Sequence, residues 1–162
     1  LRRRLSIPVI GVIGPGVRAA LAATRNRRIG VLGTPTTIAS GAYQRELVTG
    51  GASVCARSCP LFVPLIEEGW AGHPVARRVA VEYLSLLRRY KVDTVILGCT
   101  HYPLMKRILA RILGSRVRLV DSAAGHGDDR QGNGACRGET AGLSICCLGE
   151  RPSWNRFVDL VL

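Results

Sequence analysis

Aromatic side chains are scarce in this chain, with Phe, Trp and Tyr making up 5% of 162 residues. None is read as interleaving with the basic residues, so the stacking platform of a single-stranded nucleic-acid site is missing. Acid is scarce too: 11 Asp and Glu face 23 Lys and Arg, for a net charge of +12. The single methionine is Met105 and position 1 is Leu, which reads as a fragment. No apolar stretch approaches the roughly 20 residues of a membrane-spanning helix. The opening Leu1 to Gly11, a basic start and then an apolar stretch that reaches Ala-rich sequence near Ala22, imitates a secretory signal, but Pro8, Pro15 and Arg18 argue against that reading. Six cysteines, at 55, 59, 99, 136, 146 and 147, lack the close, even spacing of a disulfide framework. Cys55 and Cys59 have no partner pair at finger-like spacing, so no metal is expected and a reducing cytoplasm is the simpler setting.

What the chain does have is aliphatic core material, 47% hydrophobic overall, enough for one domain with appendages. Charge divides the chain unevenly. Residues 1–122 hold 19 Lys and Arg against 6 Asp and Glu, and residues 123–162 hold 4 against 5. The arginines are scattered along the sequence, so the excess reads as solvated helix faces and nucleic acid is not expected as a partner.

Strand-like and helix-like segments alternate. Ile7–Ile13 reads as a buried strand and Gly14-Pro15-Gly16 as a turn or hinge, with a helix from Val17 to Ala23. Arg28–Gly33 is the next strand, and Pro35 opens a helix predicted to run to about Val48 and to stop at Gly50-Gly51. Ala52–Ala56 is a further strand. Cys59–Gly69 carries Pro60 and Pro64 within an apolar stretch and reads as a structured loop. From Pro74 to Tyr90, Val75, Val79, Tyr83 and Leu87, with Ala76, Ala80 and Leu84, trace one face of an amphipathic helix. Thr94–Gly98 is a strand, Pro103–Leu113 a helix with Leu104, Ile108 and Ile112 on its stripe, and Val117–Asp121 a last strand. This alternation predicts an α/β fold, a parallel sheet covered by helices on both faces. Beyond Ala123 the periodicity stops.

The most informative stretch is Asp93-Thr-Val-Ile-Leu-Gly-Cys99-Thr100-His101-Tyr-Pro103. A strand ends in Gly98 and a helix opens soon after, so Cys99 falls in the crevice outside the carboxyl end of a strand, where parallel α/β folds place their chemistry. Backbone N–H groups at a helix start favour a thiolate, which can act as nucleophile or base. His101 can relay a proton, Glu67 or Glu68 can orient that imidazole, and Thr100 offers a hydroxyl and an N–H to an anionic group. Thr34 suits a helix N-cap before Pro35.

Four segments in order, Gly33-Thr34-x-x-Thr37-Ile38, Ser40-Gly41-Ala42-Tyr43, Cys59-Pro-Leu-Phe-Val-Pro-Leu-Ile-Glu67-Glu68-Gly69 and Gly98-Cys99-Thr100-His101-Tyr102-Pro103, closely resemble the glutamate racemase family of the aspartate/glutamate racemase superfamily. The resemblance runs from about Ile7 to Ser122. It implies two similar α/β domains facing each other across a glutamate substrate, no cofactor, and a pair of cysteines as base and acid. It also implies a cytoplasmic enzyme that supplies D-glutamate for peptidoglycan and, in intact members, a homodimer. On this reading Cys99 is the second-domain catalytic cysteine, with His101 and Glu67 catalytic beside it. Thr100, Thr34 and Thr37 are then substrate-binding.

The sequence departs from the family in three places. The family's first cysteine motif, which would precede Ile7, is absent, and Gly14 stands where the family usually carries Glu before Pro-Gly. After Asp121-Ser122 the family's return to the first domain is not recognisable. The expected organisation is therefore a first-domain remnant and hinge at 1–13, the second domain at 14–120, and an aberrant tail at 121–162, disordered or frame-shifted. One cysteine cannot both remove and return a proton on opposite faces, so the chain by itself is expected to be inactive. The alternatives are an aspartate or hydantoin racemase, or a non-catalytic basic protein that binds nucleic acid. A reading-frame change near residue 124 predicts that a neighbouring frame of the encoding DNA restores a family-like ending; no such frame on sequencing would refute it.

Overall fold

A computed structural model describes residues 11–121. Four strands form, β1 (Arg28–Gly33), β2 (Ser53–Ser58), β3 (Thr94–Leu97) and β4 (Arg118–Asp121), the central β1 and β3 from aliphatic runs and the edge strand β2 from a more polar one. All pairs are parallel, in the order β2-β1-β3-β4. The two central strands are apolar almost throughout because both of their faces are covered, as an all-parallel sheet requires. Residues of β1 and β3 alternate between two cores. Ile29, Val31 and Ile96 pack with Val17, Ala20, Tyr43 and Leu47 on one side. Leu32, Val95 and Leu97 pack with Phe62, Leu84, Leu87, Tyr102 and Leu109 on the other.

The first face is covered by α1 (Ile13–Ala23) and α3 (Ala42–Thr49), with α2 (Pro35–Ala39) at the end of β1. The second is covered by α4 (Phe62–Glu67), α5 (Pro74–Arg89) and α6 (Lys106–Leu113), the last preceded by a 3-10 turn at Tyr102–Met105. On α5, Ala76, Ala80, Tyr83, Leu84 and Leu87 are buried as expected, whereas Val75 is 41% exposed. The helix lies so close to β1 that a Cβ on Gly30 would stand 2.8 Å from Leu87 Cδ2 and 3.1 Å from Val95 Cγ2.

Five expectations need correction. Gly14-Pro15-Gly16 is no turn but the start of α1; Pro15 is tolerated because N–H groups of a first helical turn have no intrahelical partner. Ile13 is likewise helical, and the rest of the strand expected at 7–13 falls largely outside the described residues. The helix expected from Pro35 to Val48 breaks at Ser40-Gly41, where Gly41 has φ 64°, a left-handed conformation that glycine adopts at least cost. Cys59–Gly69 contains α4, with Pro64 in its first turn, so that proline starts a helix where it was expected to prevent one. The stripe expected on Leu104, Ile108 and Ile112 is displaced. The 3-10 turn shifts the register so that Met105 and Leu109 are buried and Leu104 is 58% exposed. The tail expected at 121–162 lies, after Asp121, outside the described residues.

At the amino end of the sheet Asp93 ties two turns together. Its carboxylate accepts from Thr24 Oγ1 at 2.6 Å and from the backbone N–H groups of Arg25 at 2.7 Å and Asn26 at 2.8 Å. Partial burial alone would raise the carboxyl's pKa, but these donors outweigh it and hold it below its ordinary value. A lowered carboxylate pKa stabilises the fold above the unfolded pKa, and that stability is lost as pH falls through the folded value. Asp93→Ala is expected to cost about 2 kcal/mol in urea unfolding at neutral pH, by loss of hydrogen bonds to a charged acceptor. The deficit should shrink as pH falls below the ordinary carboxylate range and through the lowered pKa of the native carboxyl; an equal deficit at neutral and at acid pH would contradict the role of the charge.

Candidate active site

The site begins where β1 and β3 end side by side. Leu32 pairs with Leu97 in the ladder, and the N–H of Gly98 donates to the carbonyl of Leu32 at 2.8 Å. A Cβ on Gly98 would lie 3.0 Å from that carbonyl oxygen and 3.2 Å from Tyr43 Cε2. Glycine is thus what lets the chain leave β3 close against β1. The next residue, Cys99, is delivered to the crevice outside the carboxyl ends of the two central strands.

The half-buried Cys99 Sγ stands 3.8 Å from His101 Nδ1. On the other side of the imidazole, Nε2 is 3.5 Å from Glu67 Oε1. Glu67 is the last residue of α4, a helix where the two prolines lead one to expect a loop. Of the two glutamates at this helix end, Glu67 is the one paired with His101. The Glu67 side chain is 47% exposed against 20% for His101, so solvent screens the pair and it orients the ring more than it stabilises the fold.

The thiol is not the thiolate expected from its position. Burial pushes the Cys99 pKa up. The backbone N–H groups of His101 and Tyr102 pull it down, the Glu67 charge adds to the rise, and the net direction is upward. The Cys99 sulfur therefore keeps its proton at neutral pH.

Thr34 and Thr37 lie at the end of the neighbouring strand. Thr34 is the N-cap of α2, accepting from the Thr37 N–H at 3.2 Å, and the two hydroxyl oxygens are 2.9 Å apart. The pair borders the turn that carries Cys99, since the methyl of Thr37 lies 3.7 Å from where a Cβ on Gly98 would stand. Thr100 is exposed at the start of the turn into α6. All six residues singled out from the sequence thus lie on the loops and helix ends that follow β1, β2 and β3.

Two tyrosines that sequence reasoning did not assign to the site support it from below. Tyr102 donates its hydroxyl to the carbonyl of Cys59 at 3.1 Å and meets Phe62 edge to face at 5.3 Å. It thereby fixes α4, and with it Glu67, against the turn that carries His101. Tyr43 lies under Gly98. In a chain this poor in aromatics, two buried rings beside Gly98-Cys99 were the available signal. The remaining described cysteines do not join the site chemistry: Cys55 and Cys59 are free and buried, and burial pushes the Cys59 thiol up to about 12.

Residues 1–126 match the family model described as Asp/Glu/Hydantoin racemase. The chain belongs to that family. The glutamate racemase of Aquifex pyrophilus is 53% identical over 123 residues, which are 76% of this chain and 48% of that protein. Among solved structures, glutamate racemase isoform RacE1 of Bacillus anthracis superposes with a TM-score of 0.72 at 37% identity, covering 76% of this chain and 47% of its own. The Francisella tularensis enzyme in complex with D-glutamate gives 0.67 at 39% identity, covering 73% of this chain and 44% of that one. The chain spans about half the length of the curated relatives it matches. It has the α/β fold of this racemase family, with a parallel sheet between two helical layers.

Alkylation of Cys99 by iodoacetamide, followed by peptide mapping, is expected to have its midpoint above the ordinary thiol range. In Glu67→Gln the midpoint should fall and the rate at neutral pH rise, because a negative charge beside the forming thiolate is removed. An unchanged midpoint would show that Glu67 does not act on the thiol.

Proposed function

We propose that residues 14–120 are the second of the two facing domains of a glutamate racemase, and that Cys99 is the acid and base group for one face of the substrate's α-carbon. The observation that carries this reading is the chain Cys99–His101–Glu67 at the carboxyl end of β3 beside the threonine pair of β1. It is supported by the identity to proteins named glutamate racemase. Thr34, Thr37 and Thr100 would bind the substrate's polar groups. D-Glutamate made in this way would feed peptidoglycan synthesis in the cytoplasm.

The chemistry follows from the thiol's state. An α-proton is weakly acidic, so its removal needs a base held in close register and a water-poor cleft that stabilises the developing carbanion. Cys99, protonated at rest, is set to give its proton to the carbanion in one direction of the reaction. In the other direction it starts as thiolate and removes the proton, with His101 tuning the exchange. Racemisation needs a second such group on the opposite face. Cys55 and Cys59, packed in the helix-covered core, do not offer it.

The test is a hybrid in which residues 1–126 replace the matching half of the Aquifex pyrophilus enzyme. The hybrid is expected to convert L-glutamate into D-glutamate in preference to aspartate, and Cys99→Ala is expected to lower kcat by about 10³ or more. The 162-residue chain alone should form no D-glutamate, and at most exchange the α-hydrogen of one enantiomer with solvent. Full activity in the Cys99→Ala hybrid, or clear turnover by the chain alone, would overturn the reading.

A further inference from the structure

The arginines that look scattered along the sequence are gathered by the fold. In a parallel sheet every turn that enters a strand lies at the same end, and three such turns here are basic. Arg27 and Arg28 precede or open β1, Arg89 and Lys91 lie before β3, and Arg116 and Arg118 flank the start of β4. All six are exposed. Hydrogen bonds link these turns into one row, from the Asp93 N–H to the Arg28 carbonyl at 3.2 Å and from the Arg118 N–H to the Asp93 carbonyl at 2.9 Å. The acid in that row, Asp93, is already occupied by Thr24 and two backbone N–H groups. None of the six cations makes an ion pair among the described residues.

Three further observations converge on this end. A cleft of about 460 Å³ opens there, lined by Arg28, Ser53, Arg89 and Tyr90, with Val54, Cys55 and Val92 as its apolar part; its size is that of a small-ligand site. Tyr90 is 57% exposed and sits between Arg89 and Lys91. Placed at the end of α5 by its helical spacing, Tyr90 is nonetheless an aromatic interleaved with cations. Finally, the two non-glycine residues with left-handed backbones among those described are both cations of this face, Arg27 at φ 57° and Lys91 at φ 53°. Glycine or asparagine would take those positions at less conformational cost. The described chain enters through α1 and leaves after β4 at the opposite, carboxyl end, so the basic end is distal to the Cys99 site.

We propose that this amino-end face binds single-stranded nucleic acid. The six cations would track the phosphates, and an unstacked base would enter the cleft against Tyr90. A ring placed between phosphate-binding cations, beside a cleft of small-ligand size, is the pairing that a single strand uses for stacking and backbone tracking.

The experiment is fluorescence anisotropy of a labelled single-stranded 12-mer with the full 162-residue chain. If about four phosphates are contacted, affinity should fall roughly 50-fold between 50 and 200 mM salt. Arg28→Ser with Arg89→Ser should weaken binding about ten-fold or more, whereas the charge-matched control Arg77→Ser with Arg78→Ser, exposed near the start of α5, should change it less than two-fold. Tyr90→Ser should lose at least about five-fold and Tyr90→Phe should keep the affinity, because the ring and not the hydroxyl stacks. Circular dichroism melts of each variant separate unfolding from lost binding, since all these side chains are exposed. Equal losses in the two double-arginine variants, indifference to Tyr90, competition by a mononucleotide at the same concentration as the strand, or equal affinity for anionic vesicles would each overturn the proposal.

Discussion

The approach of β1 to β3 at their carboxyl ends is the constraint on which the site depends. The Gly98 N–H reaches the Leu32 carbonyl at 2.8 Å, and no side chain could stand on Gly98 without pushing on that oxygen or on Tyr43. Because the two strands end in register, the residues after each are neighbours: the threonine pair that caps α2 on one side, the thiol and the imidazole on the other. Move one strand by a single residue and every side chain changes face, which would send Cys99 from the crevice into a helix layer. The chemistry is thus a consequence of ladder register before it is one of side-chain type.

The second requirement is that α4 be held still, and here the few aromatics are concentrated. Phe62 meets Tyr83 at 5.2 Å and Tyr102 at 5.3 Å, both edge to face. Such pairs contribute about 0.5–1.5 kcal/mol each beyond the area they bury. The Tyr102 hydroxyl then closes on the Cys59 carbonyl. Glu67 is exposed and its attraction to His101 is weak in water, so electrostatics does not position it. Its position comes from the buried ring of Phe62 five residues earlier on the same helix.

Much of this was legible in the sequence. Arg28–Gly33 reads as a strand because an unbroken aliphatic run bounded by a turn leaves little choice, and Cys99 reads as a strand-end residue because Gly98 stops the run. Thr34 reads as a cap from its place before Pro35. The rest was hidden for physical reasons. Pro60 and Pro64 look like breakers until the helix start is known, since the penalty for proline depends on whether its N–H would have been bonded. The 3-10 turn at Tyr102–Met105 rotates the stripe of α6 and cannot be seen in a periodicity count. The gathering of Arg28, Arg89 and Arg118 on one end is topology, which only strand order supplies.

The resting state of Cys99 bears on how the proposed half-site would work. Two N–H groups at a helix start are a standard way to hold a thiolate, yet burial and the Glu67 carboxylate outweigh them here. A neutral thiol is cheaper than a thiolate to bury under a second domain, since desolvation penalises only the charged form. To become a base the sulfur needs a positive charge brought close. Among the described side chains the nearest candidate is His101, already turned towards Glu67. An amino-acid substrate carries such a charge in its α-ammonium group. On the proposed reading, binding would therefore both present the α-proton and lower the pKa of the group that removes it, so the thiolate would form only where there is a proton to take.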